Sequence, residues 1–221
     1  MRLNKYLAQK NIASRREADD LIESGKVFVN GKKAVLGLQV EETDKVEVRG
    51  KGKDYRYFLY NKPVGIVTAA PQNGETGIEQ VAKFPIKVFP VGRLDKDSSG
   101  LLIMTNDGRL TKKILDPENE HEKEYLVRVI PSFRKDFKSK MEHGVLVDKT
   151  QHKKGYTTKP CKVKLIDSQE FSIILTEGKN RQIRRMCDAL GHTVTSLTRL
   201  RIGKLSLGKL KPGEWREVKG I

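Results

Sequence analysis

Cysteine is scarce in this 221-residue chain: Cys161 and Cys187 are the only two, with no C-x-x-C spacing and no histidine beside them. That excludes a disulfide framework and argues against structural zinc, whose ligands come in closely spaced pairs. No metal and no cofactor are expected, because a dinucleotide-type G-x-G-x-x-G is also missing. The stretch Gly203 to Leu210 has the spacing of a phosphate-binding loop, but Leu210 stands where a Ser or Thr must reach magnesium. No stretch approaches the roughly 18 apolar residues that a membrane helix needs, and Met1-Arg2-Leu3-Asn4-Lys5-Tyr6 lacks the apolar run of a signal peptide. A cytoplasmic monomer with reduced thiols and no membrane partner is therefore expected. Internal repeats and low-complexity tracts are absent as well.

Acidic residues are the other shortage. Asp and Glu number 28 against 44 Lys and Arg, a formal charge of +16 with a pI near 9.8, which points to a polyanion such as nucleic acid. Residues 1–50 hold ten basic and eight acidic residues, leaving +14 on residues 51–221. Hydrophobic content of 37% with 33% charged residues fits a globular chain with little disorder.

The chain divides at Gly50-Lys51-Gly52-Lys53-Asp54, whose glycine-rich polar composition reads as a linker over 50–54. Before it, Leu3, Tyr6 and Leu7 recur at helical spacing, and Ser14-Arg15-Arg16-Glu17 reads as a capping box opening a second helix. Val27-Phe28-Val29 and Ala34-Val35 flank Asn30-Gly31, a strong hairpin signal. Beyond the linker, Tyr57 to Asn61 is an aromatic strand ended by Lys62-Pro63, with Val64 to Val67 expected to continue the sheet. Helices are expected near 78–82, over Leu110 to Leu115 and over Phe133 to Met141. Lys123 to Val129 alternates as a strand does, and Cys161 to Ile166 with Phe171 to Leu175 forms an antiparallel pair. The fold class is α+β: a small α/β module over 1–49, then a large, mixed, mainly antiparallel sheet with few helices over 55–221.

Two stretches carry chemistry. Val88 to Val91 and Leu101 to Thr105 are β-prone runs around a polar loop, Gly92-Arg93-Leu94-Asp95-Lys96-Asp97-Ser98. A rigid loop between buried strands suits catalysis, although such loops are more often surface hairpins whose acids make local turns. The second is Glu177-Gly178-Lys179-Asn180-Arg181-Gln182-Ile183-Arg184-Arg185-Met186. If Asn180 caps a helix, Ile183, Met186, Cys187 and Leu190 form its buried stripe, and Arg184 lies nearer that stripe than Arg181 or Arg185.

At Gly92-Arg93-Leu94-Asp95 with Ser99-Gly100-Leu101-Leu102, and again at Asn61-Lys62-Pro63, Lys123-Glu124-Tyr125-Leu126-Val127 and Asn180 to Met186, the sequence resembles the RNA pseudouridine synthases of the ribosomal RNA branch. His121 to Val127 and Asn180 to Cys187 look most like the type F synthases of large-subunit RNA. Types B and E, which share that substrate, and type A, which modifies small-subunit RNA, are left open. Residues 2–48 resemble the S4-type RNA-binding domain. The resemblance implies a catalytic domain with a central cleft, in which Asp95 is the catalytic residue, Tyr125 the tyrosine of the uridine pocket and Arg184 the basic partner of the aspartate. Arg93 would hold the flipped nucleotide out, Leu94 and Ile183 would wall the pocket, and Arg181 and Arg185 would bind substrate. In the N-terminal module, Lys5, Arg15, Arg16, Lys26, Lys32 and Lys33 would face phosphate.

The implied reaction moves the sugar's anomeric carbon from ring nitrogen to ring carbon 5, with no atom gained or lost. It needs an ionised carboxylate and a pocket that retains the freed uracil, and neither redox group nor metal. The expected partner is ribosomal RNA, large-subunit RNA first, or a pre-ribosomal particle; small-subunit RNA and tRNA remain alternatives. A glycosidase would need a second carboxylate about 5–9.5 Å away and a bound water. A zinc deaminase would need P-C-x-x-C, and Pro160-Cys161 is followed by no such cysteine. The competing reading is a non-catalytic RNA-binding or ribosome-assembly protein, which the module and the charge alone would explain.

Overall fold

The computed structural model describes residues 1–50, 54–147 and 155–221. Most of the expected linker, 51–53, lies outside the described residues. The N-terminal module has helices α1 (Leu3–Gln9) and α2 (Arg15–Glu23) and strands β1 (Val27–Val29), β2 (Lys32–Lys33) and β3 (Val46–Val48), ordered β2-β1-β3. The capping box forms as expected: the Ser14 hydroxyl accepts from the Glu17 amide and the Glu17 carboxylate accepts from the Ser14 amide. Asn30 and Gly31 both take positive φ, 50° and 78°, the backbone of a type I′ turn. That turn pairs Val29 with Lys32, so the second strand lies at 32–33 and not at Ala34-Val35. Leu3, Leu7, Ala18, Ile22, Val27 and Val40 bury against one another as the module's own core, each large aliphatic side chain worth about 1.5–3 kcal/mol.

The larger part contains β4 (Tyr57–Lys62), α3 (Ile78–Val81), β5 (Phe89–Val91), β6 (Ser99–Thr105), α4 (Arg109–Leu115) and β7 (Lys123–Ile130). After these come α5 (Phe137–His143), β8 (Leu146–Val147), β9 (Tyr156–Thr157), β10 (Lys162–Leu165), β11 (Glu170–Leu175), α6 (Gln182–Ala189), β12 (Thr193–Ile202), β13 (Leu205–Ser206) and β14 (Trp215–Val218). Nine strands make one sheet in the order β10-β11-β7-β12-β6-β4-β14, with β13 on β12 and β5 on β6. Every pairing is antiparallel except β12 with β6. One face buries Leu59, Leu101 and Ile103 beneath α4. The opposite face carries Phe58, Tyr60, Leu102 and Met104 at one end, and Val127, Phe171 and Ile173 under α5 and α6 at the other.

Two of these expectations change, and two strands were missed. Val64 to Val67 do not extend the sheet: the Gly65 amide donates to Lys96 O at 2.7 Å, so the segment turns toward the loop after β5, and only Val67 bridges, to Gly77. The helix expected from Phe133 starts at Phe137, because the Phe133 amide is spent on Ser168 O at 2.9 Å and its ring stacks on Phe137 at 4.4 Å. Strands β12 and β14 were not legible; β12 carries Arg199 and Arg201 and is interrupted by two register shifts, which hide its alternation. Module and sheet meet where the Tyr55 hydroxyl donates to Glu17 Oε1 at 2.8 Å and Arg109 Nη1 to Asn11 O at 3.5 Å.

Candidate active site

The polar loop from Gly92 to Ser98 is braced from below. Thr68 Oγ1 donates to Leu94 O at 2.6 Å and accepts from the Leu94 amide at 3.2 Å, and the Ser98 amide donates to Asp95 O at 3.1 Å. Leu94 is thereby buried, while Arg93 and Lys96 stay exposed. Above the loop lies a cavity of about 580 Å³ lined by Val64, Val67, Thr68, Arg93, Leu94, Asp95, Asp97 and Arg181, among others. The bracing fixes the Asp95 backbone and leaves its carboxylate on the cavity wall with 30% of the side chain exposed.

The arginines are distributed differently from the expected pairing. Arg184 is buried as expected, at 8% exposure, and it grips the loop one acid further on: Nη2 lies 3.2 Å from Asp97 Oδ2, 2.9 Å from Asp97 O and 3.2 Å from Ser98 Oγ. Its Nη1 donates to Val194 O at 3.2 Å, tying the loop to β12. The ion pair with Asp95 is made by Arg181 instead, Nη1 to Oδ2 at 3.8 Å, while the same guanidinium meets both oxygens of Asp97 at 3.2 Å. Burial pushes the Asp97 carboxyl up, but hydrogen bonds from Arg181 and the charges of Arg184 and Arg181 outweigh it, and the group sits below the ordinary carboxylate value.

Asn180 does not cap α6. The N-cap is Arg181 in left-handed conformation, φ 50° and ψ 31°, with no side-chain cap; the Gln182 side chain accepts from the Lys179 amide at 3.0 Å instead. A non-glycine residue at positive φ is uncommon, and here it turns the Arg181 side chain toward both acids. Ile183, Met186 and Cys187 form the buried stripe, with Leu190 partly buried beside them. Burial pushes the Cys187 thiol up to about 12, which keeps it neutral.

Tyr125 stands on β7, half-buried, opposite Ile173 on one side and Arg199 on the other. Arg93, Leu94, Asp95 and Arg181 share the cavity, whereas Tyr125, Ile183, Arg184 and Arg185 are not among the residues that line it. Arg185 turns instead toward Tyr156, its guanidinium 5.3 Å from the ring centre. Lys5, Arg15, Arg16, Lys26, Lys32 and Lys33 are all exposed. Lys32 and Lys33 are neighbours on one strand and point to opposite faces, so these six do not form a single face. Thr68, Ser98, Lys62 and Arg199 were missed as site residues; Lys62 lies in a stretch marked by the adjoining proline, but no local pattern marks Arg199. Among the described residues no group of His, Cys, Asp and Glu is placed to hold a metal, and no helix is long and apolar enough to cross a membrane.

Residues 56–189 match the RNA pseudouridylate synthase family, and residues 1–46 match the S4 domain. The chain is 45% identical over 224 residues to the dual-specificity RNA pseudouridine synthase RluF of Escherichia coli, covering 99% of this chain and 75% of that one. It is 38% identical to ribosomal large subunit pseudouridine synthase B of Bacillus subtilis, covering 98% of this chain and 91% of the relative. A crystal structure of a pseudouridylate synthase superposes with a TM-score of 0.72 at 29% identity, covering 99% and 96% of the two chains. A likeness in sequence and in fold that runs nearly end to end means that this chain belongs to the RNA pseudouridylate synthase family and carries an S4 domain.

Proposed function

We propose that this chain converts a specific uridine of ribosomal RNA, in the large subunit, to pseudouridine, with Asp95 as the acting carboxylate. The observation that carries the reading is the placing of two acids on one loop: Asp97 is held by Arg184 and Arg181, while Asp95 projects on the cavity wall with a single arginine nitrogen 3.8 Å away. A carboxylate so placed is available to attack the nucleotide or to take its proton. The names of the relatives, which include a ribosomal large subunit synthase, support the substrate class.

The target base has to leave its stack, at a cost of a few kcal/mol. Arg93, exposed on the rim, holds the nucleotide out, and Tyr125 stacks on the extruded uracil, a contact worth about 1–3 kcal/mol. Arg181 places its positive charge 3.8 Å from Asp95, and Arg184 works one step back by fixing the loop through Asp97. Residues 1–49 anchor the RNA and residues 55–221 carry out the chemistry; most of the +14 on residues 51–221 also faces phosphate.

Two measurements test this. Pseudouridine maps of ribosomal RNA from cells with and without the gene are expected to differ at one or a few positions in the large subunit. The purified protein is expected to release tritium from ring carbon 5 of labelled uridine in a transcript spanning that position. Identical maps together with no release leave only RNA binding and overturn the proposal.

A further inference from the structure

Beneath the Asp95 loop, one row of residues runs in register across four strands: Lys62 on β4, Gly100 on β6, Arg199 on β12 and Tyr125 on β7. Residues directly opposite in neighbouring strands share a face, with Cβ atoms about 4.5–5.5 Å apart. Gly100 interrupts the row with no side chain, and it can carry none, since a Cβ there would lie 2.3 Å from Arg199 O. The Arg199 backbone fills the space beside Gly100, so the row sets two cations on the same sheet face, one strand to either side of the glycine, with Tyr125 next to Arg199. Asp95 stands at the start of the same loop-to-strand connection.

Both cations are buried, Lys62 at 0% and Arg199 at 4% exposure, and among the described residues neither has a carboxylate within ion-pair distance. They differ in how they are satisfied. Lys62 donates to Pro63 O at 2.9 Å and Ile66 O at 2.7 Å. Burial pushes its ammonium down to about 8, against the charges of Asp97 and Asp95, and the charge of Arg199 adds to the depression. Arg199 donates only Nε, to Leu101 O at 2.7 Å; its terminal nitrogens make no hydrogen bond among the described residues, and Nη2 is completely buried. A buried guanidinium with uncommitted donors is costly and calls for an explanation. Carbonyl bracing explains Lys62 and leaves Arg199 unexplained.

The reaction supplies a group that would use those donors. When the bond from C1′ to N1 breaks, its electron pair goes to the ring, and the detached uracil carries negative charge spread over N1 and its two carbonyl oxygens. The charge persists until C5 joins C1′, C5 gives up its proton and N1 takes one. We propose that Arg199 is a further catalytic residue, whose terminal nitrogens donate to the carbonyl oxygens of the detached uracil and hold it while it turns from N1 to C5. This rests on the synthase reading above. A fixed donor in a site closed to water stabilises developing charge far more than water can.

The test compares wild type, Arg199→Met, Arg199→Lys and Asp95→Asn on the same labelled RNA. Removing a buried, incompletely bonded charge is often neutral or stabilising, so Arg199→Met is expected to melt no lower than wild type and to bind RNA within about threefold. Its single-turnover rate at saturating enzyme is expected to fall about 100-fold or more, and Arg199→Lys, which restores the charge, to recover at least part of the loss. If Arg199→Met does not fold, Arg199→Gln is held to the same criteria. A variant that turns over within about threefold of wild type, or whose lost rate is matched by a lowered melting point and weakened RNA binding, overturns the inference. If wild type releases no tritium, or Asp95→Asn releases as much, the synthase reading fails and this inference with it; an active wild type with an indifferent Arg199 overturns this inference alone.

Discussion

Asparagine at position 95 and asparagine at position 97 should separate activity from stability in opposite ways. Among the described residues Asp95 makes one ion contact, 3.8 Å to an Arg181 that is 46% exposed, and such pairs are worth about 0–1 kcal/mol. The bond that shapes its turn comes from its backbone carbonyl and survives the substitution. Asp95→Asn is therefore expected to melt within about 3 °C of wild type, at about 2–4 °C per kcal/mol for a chain of this size, while its tritium release vanishes. Asp97 is the charge partner of a buried Arg184. Bonds to charged groups contribute about 1.5–3 kcal/mol, which the 46% exposure of the Asp97 side chain reduces to about 1–2 kcal/mol through solvent screening. Asp97→Asn should then melt about 3–6 °C lower and lose about tenfold in rate through a looser loop, a barrier change near 1.4 kcal/mol. The Asp97 carboxyl is held below its unfolded value, so its contribution is complete above about pH 4 and fades as pH falls through the lower folded value. The gap between wild type and Asp97→Asn should narrow accordingly in melts below about pH 4. Equal losses of activity in the two variants, or a larger stability loss for Asp95→Asn, would refute the division of roles between the two acids.

Tyr125→Phe should keep near-normal RNA affinity, since the stacking ring remains; a large fall in single-turnover rate assigns the hydroxyl to chemistry, and an unchanged rate confines the residue to stacking. Gly100→Ala puts a Cβ against the Arg199 backbone at φ 105°, and the overlap and strain together should cost about 2–5 kcal/mol; an undiminished denaturation midpoint would contradict the close approach of β6 and β12. Changing Lys5, Arg15 and Arg16 together to Gln should weaken RNA binding and flatten the plot of log affinity against log salt by up to about 2.7 units, near 0.7–0.9 per lost phosphate contact, without altering the rate at saturating enzyme. An unchanged slope would remove these three from the RNA interface.

Much of the architecture follows from short-range signals. The Ser14 capping box, the Asn30-Gly31 turn and the two β-prone runs around the Asp95 loop each act within a few residues, so local chemistry specifies them and they are legible in the sequence. The large excess of positive charge is likewise a property of composition alone. Motifs also marked Arg181 and Arg184 as site residues, and the burial of Arg184 followed from helical spacing. Which acid each arginine meets did not, because the partners are 84 to 87 residues apart and the left-handed turn at Arg181 replaces the cap expected from Asn180.

The central strand shows the same limit more sharply. β12 looks unlike a buried strand because Arg199 and Arg201 interrupt its apolar pattern, yet it lies between β6 and β7 and carries the register from Gly100 to Tyr125. The sequence by itself determined the N-terminal module, the loop with its two acids and the sign of the partner's charge, since each depends on neighbours in the chain. Only the tertiary structure decided that Arg181 reaches Asp95, that Arg184 braces Asp97 and that Lys62 and Arg199 register on either side of Gly100. Those relations depend on sheet register and on which residues burial deprives of water, and both are settled by contacts between segments far apart in sequence.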